Sequence, residues 1–379
     1  MKTIILFGYL PRDLTRNWIL EKGLTEHGYR VLECRTLKKG FLKKYMDLTR
    51  KFLSMRKECD IILVTFMGYY FMPLAWILAK LTGKILIFDG LTSIYESEVE
   101  DRRRLSRFDP RAWFLFFLDW FSYAVADLVL LESPVYGKFL SHRYGTPENR
   151  FLFLPVACHT DIFHPATVAR VASPAHPGQG EIRKFRVMYQ GRFIPIHGVE
   201  TILDAAAEIQ KRGIKDIEFH FIGKGQTGPT MRKRAEELGL RNVLFRGFLP
   251  ALEEVAEELR NADVGLGMFQ KSSKADLCMP HKVYEVLASR VALITIESTS
   301  AKAIFGSEEV ALFIPPEDGK ALAEAIIRLK EDAKLRERIA DKGYIYFQEH
   351  FDSRSIVKPL AHWFRGAGMP KRAACAREI

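Results

Sequence analysis

Four stretches of this chain are short, continuous and apolar: residues 4–7, 61–66, 85–88 and 128–131. A charged, glycine or proline residue lies within two positions of each end, and segments of helical period lie between them. A strand that is apolar on both faces needs cover on both faces, which is the situation of a parallel sheet with helices in front and behind. Strands at 30–33 and 151–154 extend the pattern, so the first part of the chain reads as an alternating α/β unit.

The alternation then breaks and restarts. Residues 167–181 are rich in Pro, Gly and Ala and have no clear period, as a linker would. Beyond them, strands at 186–189, 218–222, 243–245, 264–268, 292–296 and 311–314 alternate with helical segments, the last at about 334–348. The expected fold class is α/β: two Rossmann-like doubly wound parallel-sheet domains facing a central cleft. The expected boundaries are 1–166 for the first domain, 167–184 for the linker and 185–345 for the second. Residues 346–379 are expected to pack back on the first domain. Ligands of such folds sit outside the C-terminal ends of the strands.

The chain has 379 residues, enough for two domains each with its own core. Its 57 Lys and Arg against 46 Asp and Glu leave a net charge of +11, which suits a phosphorylated ligand, a membrane face or nucleic acid without choosing among them. Five scattered cysteines, Cys34, Cys59, Cys158, Cys278 and Cys375, form no C-x-x-C pair, which argues against a disulfide framework or a structural zinc and for a reducing compartment. The apolar run at the start is too short for a signal peptide and reads as a first strand. Residues 61–79 lack a charge and meet the length of a membrane span, but Gly68 and Pro73 divide them into strand, loop and helix.

Common catalytic motifs are missing: no G-x-x-x-x-G-K-[ST] phosphate loop, no G-x-S-x-G elbow, no H-E-x-x-H. One G-x-G-x-x-G runs from Gly223 to Gly228, but no acidic residue follows at the distance a dinucleotide ribose requires, so it reads as a tight strand-to-helix turn near a ligand. A second cluster, Tyr189-Gln190-Gly191-Arg192 through His197-Gly198, lies at the end of the second domain's first strand. There Gly191 admits close backbone approach and Arg192 offers a planar cation matched to phosphate oxygens. A third, Pro280-His281-Lys282-Val283-Tyr284-Glu285, starts a helix whose first turn favours anions, with Lys282 and Glu285 on one face. Each cluster alone also fits an ordinary role: a solvated Arg, a surface His, an i,i+3 ion pair.

Taken in order, these clusters resemble the GT-B retaining glycosyltransferases of family 4, most closely from residue 185 to residue 329. Gly191-Arg192 is similar to that family's diphosphate motif, and residues 280–288 to its P-x-K-x-x-E-x-x-A helix. Arg246-Gly247-Phe248 resembles the turn beside the base, and Pro315-Pro316-Glu317-Asp318 the closing motif. The resemblance implies a hexosyltransferase that moves a sugar from a nucleotide-sugar to a glycan, lipid-linked or other hydroxyl, with retention and with no cofactor or metal. The first domain would take the acceptor and the second the donor. Arg192, Lys282 and Asp89 would be catalytic. Gly191, His197, Gly223, Phe248, Pro280, His281 and Glu285 would bind the donor, and Gly8, Arg16 and Asn17 would face it from the first domain. Two positions depart from the pattern: His197 stands where the family often has Lys, and Leu277 where it has a sugar-contacting Glu.

Basic residues between Arg102 and Arg107 precede an aromatic-rich helix with Trp113, Phe117 and Trp120, a combination suited to an anionic membrane surface. No nucleic-acid module is visible, and none is expected as a partner. The expected location is cytoplasmic, peripheral on the inner face of the membrane. The alternatives are a nucleotide-sugar epimerase of the same fold, a nucleotide-sugar-binding protein without turnover, and a dinucleotide oxidoreductase built on the Gly223 turn.

Overall fold

The computed structural model of the protein describes residues 2–8, 14–166 and 183–367. The expected linker core at 167–182, the loop at 9–13, Cys375 and the tail beyond 367 lie outside the described residues. The chain divides into two compact units, one running to Val156 and resuming at Asp352, the other Ala157–Phe351.

In the first unit six strands are β1 (Thr3–Gly8), β2 (Arg30–Arg35), β3 (Ile61–Val64), β4 (Ile85–Leu91), β5 (Leu128–Leu131) and β6 (Phe151–Phe153). They form one parallel sheet in the order β2-β1-β3-β4-β5-β6. The helices between them are α1 (Thr15–Glu26), α2 (Phe41–Met55), α3 (Met72–Thr82), α4 (Pro110–Val125) and α5 (Pro134–Tyr144). Residues 4–7 and 61–64 are fully buried, because both faces of these strands lie under helices. The uncharged stretch at 61–79 is strand, turn and helix, with Pro73 in the first turn of α3. No helix of the described residues is long and apolar enough to cross a membrane.

The second unit repeats the plan with β7 (Phe185–Gln190), β8 (Ile217–Ile222), β9 (Val243–Gly247), β10 (Val264–Leu266), β11 (Ala292–Ile296) and β12 (Leu312–Ile314). All pair in parallel, in the order β12-β11-β10-β7-β8-β9. The helices are α6 (Val199–Lys211), α7 (Gly228–Glu237), α8 (Leu252–Arg260), α9 (Ser273–Leu277), α10 (His281–Ala288), α11 (Thr299–Phe305), α12 (Gly319–Glu331) and α13 (Ala333–His350). Strand order reverses between β7 and β10, and that crevice is where a doubly wound sheet offers a binding site.

Both edges of the second unit differ from the expected 185 and 345. Residues from Ala157 join it: Cys158 points its thiol at the Tyr284 carbonyl, and the Ile162 carbonyl accepts from Arg260 at 3.2 Å. At the other end α13 continues to His350, so the break follows the helix rather than interrupting it. The last helix, α14 (Ser353–His362), packs on α1 of the first unit. His27 meets the Arg354 carbonyl at 2.8 Å, and the Tyr29 hydroxyl donates to Ala361 at 3.2 Å.

Candidate functional site

At the reversal point the backbone comes together on glycine. The Gly191 N–H donates to the Ile222 carbonyl at 2.9 Å, and the Gly223 N–H to Gly247 at 2.7 Å, so the ends of β7, β8 and β9 are laced side by side. Gly223 has φ +141°, and a Cβ there would sit 1.8 Å from the Gly191 oxygen. Gly191 has φ +131°, and a Cβ there would stand 3.1 Å from the Lys282 side chain. A side chain at Gly223 would force the strand ends apart, and one at Gly191 would strain a backbone in the left-handed region and displace the Lys282 side chain.

Above Gly191 lies Lys282, in the first turn of α10. Its side chain is 4% exposed, its ammonium is 3.8 Å from the centre of the Tyr189 ring, and that ammonium has no hydrogen-bond partner. Burial pushes it well below its ordinary protonation range, with Glu285 pulling the other way. One helical turn on, Glu285 is pushed up to about 7 by burial, which the Gln190 hydrogen bond and Lys282 oppose. The Gln190 amide spans the two, donating to Glu285 at 3.4 Å and to the Lys282 carbonyl at 3.5 Å. An anionic ligand over Gly191 would meet a cation that now lacks a counterpart, and a carboxylate one turn behind it.

His197 is already engaged within the turn. It is buried, its Nδ1 donates to the Arg192 carbonyl at 2.5 Å, and the Tyr189 hydroxyl donates to the same carbonyl at 2.8 Å. Burial first, then Lys282, hold it well below its usual range, so it is neutral. It therefore pins the turn that presents Arg192 and, uncharged, carries no positive charge of its own. The Arg192 side chain itself is exposed.

Around this centre, Gly223 and Gly225 form the turn from β8 to α7, where the Thr227 N–H donates to the Phe193 carbonyl at 3.0 Å. Phe248 follows β9 with its ring 53% exposed, and the Lys224 ammonium stands 3.7 Å from its centre. Pro280 is the N-cap of α10, and His281 anchors that helix start to the Ala157 carbonyl at 2.9 Å. Leu277 ends α9. Its neighbour Asp276 is committed to the start of α11, accepting from the Thr299 N–H at 2.8 Å and hydroxyl at 2.6 Å.

In the first unit the structure pairs two of the expected site residues with each other. Asp89 is fully buried and Arg16 is 1% exposed. Arg16 Nε lies 3.2 and 3.1 Å from the two carboxylate oxygens, and Nη2 lies 2.9 Å from Oδ1. Nη1 donates to the carbonyls of Leu154 and Pro155 at 2.7 and 2.6 Å. The pair ties the start of α1, the end of β4 and the chain after β6 together, so both side chains already have partners within the first unit. Asn17, beside it on α1, is also buried. Gly8 ends β1 with φ +131°, against the Phe71 ring.

Tyr189 and Gln190 belong to the site by contact, although the sequence cluster that contains them assigned roles only to their neighbours. The available signal was a Gln closing an otherwise apolar strand, one residue before the glycine. A buried carboxylate, Asp119 on α4, was not signalled at all. It accepts from Ser93 Oγ at 2.6 Å and from the N–H groups of Ile94 and Tyr95 at 3.1 and 2.9 Å.

Comparison with known proteins places the second unit. Residues 176–345 match the profile of "Glycosyl transferases group 1". Alpha-D-kanosaminyltransferase of Streptomyces kanamyceticus is 28% identical over 184 residues, 48% of this chain and 46% of its own length. The chain thus spans just under half the length of this curated relative. Among solved structures, sucrose-phosphate synthase from Thermosynechococcus elongatus superposes with a TM-score of 0.72 at 16% identity, over 96% of this chain and 98% of its own. Anabaena HepE, solved in complex with UDP and glucose, gives 0.67 at 14% identity over 97% and 100%.

Proposed function

We propose that this chain, which has the GT-B fold and carries a glycosyl transferases group 1 domain at residues 176–345, is a retaining, nucleotide-sugar-dependent hexosyltransferase. The observation that carries the reading is the buried Lys282 ammonium, unpartnered over the bare backbone of Gly191. A buried cation without a hydrogen-bond partner is costly, and a diphosphate seated there would supply both charge and acceptor oxygens.

In this reading the donor's diphosphate lies along Gly191, with Lys282 and the exposed Arg192 countering the charge that grows as the glycosidic bond breaks. Glu285 accepts hydroxyls of the nucleotide ribose, held in place by Gln190. Phe248 and Lys224 flank the base. His197 and Tyr189 act as positioning residues for the Arg192 turn. The departing diphosphate takes up the acceptor proton, so the chain needs no base of its own, and the charge is met by side chains and backbone without calling on a metal. The acceptor is a glycan or lipid-linked hydroxyl, and a lipid-linked one would hold the protein at the cytoplasmic face of a membrane.

A titration of UDP-, GDP- and ADP-sugars against the protein tests the donor class, UDP-glucose first because HepE was solved with UDP and glucose. Arg192→Ala should lower transfer by about a hundredfold while leaving the melting temperature unchanged. Transfer at the wild-type rate by purified Arg192→Ala would refute the assignment. Leu277, with Asp276 turned to Thr299, favours a second reading, a nucleotide-sugar-binding protein without transfer. Tight donor binding with no product over a broad set of acceptors would select it.

A further inference from the structure

Fifteen of the twenty large apolar side chains left exposed among the described residues lie between Leu37 and Trp120 of the first unit. The densest set is on α4, where Trp113, Phe114, Phe117 and Trp120 are 69%, 53%, 53% and 43% exposed. Their spacing puts them on one side of the helix, while Ala112, Leu115 and Leu118 are buried on the other. The surface continues beyond α4. Phe114 stacks on Tyr70 with ring centres 6.4 Å apart, the Tyr70 carbonyl accepts from the Tyr45 hydroxyl at 2.5 Å, and the Tyr45 ring lies 4.3 Å from Phe41 at the start of α2.

Charge on this face is mainly of one sign, although Glu98 pairs with Arg102 and Arg104 and Asp109 with Arg111. In residues 37–53, 67–81 and 102–120 every exposed charged side chain is Lys or Arg. The three acidic residues of those segments, Asp47, Asp109 and Asp119, are not among the exposed ones. An aromatic surface rimmed by cations matches the boundary of an anionic bilayer, where rings sit at headgroup depth and Lys and Arg meet lipid phosphates. A second copy of the chain fits poorly, because self-association would press one cationic rim on another.

We propose that the face made by α4, the Tyr70 turn and the start of α2 docks this protein on an anionic lipid bilayer. The surface lies within the first unit and its binding needs no nucleotide, so it stands or falls apart from the transferase reading, which donor titration tests.

The experiment is sedimentation of the full chain with phosphatidylcholine vesicles, with and without phosphatidylglycerol, at low and high salt. Binding is expected on the anionic vesicles at low salt and about tenfold less on neutral vesicles or at high salt. Replacing Trp113, Phe117 and Trp120 together by Ser should cut binding about tenfold or more. Reversing Lys43, Arg103 and Arg107 to Glu should do the same, and both variants should keep the wild-type melting temperature. If either variant fails to fold, the salt series on the wild type decides alone. Equal sedimentation with neutral and anionic vesicles, or none with either, overturns the proposal. A dimer in light scattering that the triple Ser variant disperses also overturns it and assigns the face to a second copy.

Discussion

The ammonium of Lys282 lies 3.8 Å over the ring of Tyr189, and the face of that ring stands in for the counter-ion that Lys282 lacks. Such a cation strains the empty protein and serves it only when an anion arrives. Lys282→Met should therefore stabilise the fold by about 1–3 kcal/mol while UDP affinity falls about a hundredfold or more. Tyr189→Phe keeps the ring and loses the hydroxyl that holds the Arg192 carbonyl, so it should cost about 1 kcal/mol of stability. Denaturant melts paired with UDP titration read both. A Lys282→Met protein that is less stable and binds UDP normally would make Lys282 a structural residue.

Glu285 gives a pH test. Its carboxyl is pushed up to about 7 by burial, above the ordinary 4.5. Ribose hydroxyls donate best to the ionised form, so below pH 7 binding must first expel a proton. UDP affinity should rise with pH up to about 7, by at most about tenfold per unit, and then level as far as Glu285 is concerned. Lys282, whose protonation burial disfavours, works in the opposite sense as pH climbs further. Glu285→Gln should remove the lower limb and leave the upper one. Calorimetry in buffers of differing ionisation heat measures the protons directly.

The alternation of apolar strands with helices announced both sheets, because a strand buried on two faces leaves an unbroken run such as residues 61–64. Gly191, Lys282 and Glu285 were legible because turn, helix start and charge all lie within short motifs. Contacts across the chain were not. Arg16 and Asp89 are 73 residues apart, and each alone reads as a polar residue beside a strand end, where ligands also sit. Asp276 lies next to Leu277 in sequence, but its partner, Thr299, is on another helix. Helix α2 went unread because it begins after Gly40 with no side-chain cap to mark its start.

The Arg16–Asp89 pair separates structural from catalytic roles. Both groups are buried, and the guanidinium also carries two carbonyls of the chain after β6. Removing one partner leaves the other charged and uncompensated, which costs about 3–5 kcal/mol. Asp89→Asn should lower the melting point sharply. At temperatures where it stays folded, UDP affinity should remain within about twofold of wild type, since every proposed donor contact is in the other unit. Unchanged stability with lost transfer would return Asp89 to the catalytic set.

Asp119 shows the sign of a buried charge most directly. Burial pushes its carboxyl up to about 6 from the ordinary 3.8, against the lowering effect of hydrogen bonds from Ser93, Tyr95, Ile94 and Tyr144. The folded protein thus holds this proton more tightly than the unfolded chain does. The resulting stabilisation is present below pH 4 and is lost as pH rises from about 4 to 6, a fall of about 3 kcal/mol from this group. Asn at this position abolishes that slope but does not rescue the fold. Backbone N–H groups and hydroxyls all aim donors at the carboxylate, and an amide NH₂ would face one of them donor to donor. Asp119→Asn should therefore cost about 2–3 kcal/mol at pH 7. Urea unfolding of both proteins at several pH values gives the difference curve: a flat difference between pH 4 and 6 would show that Asp119 is already ionised throughout that range.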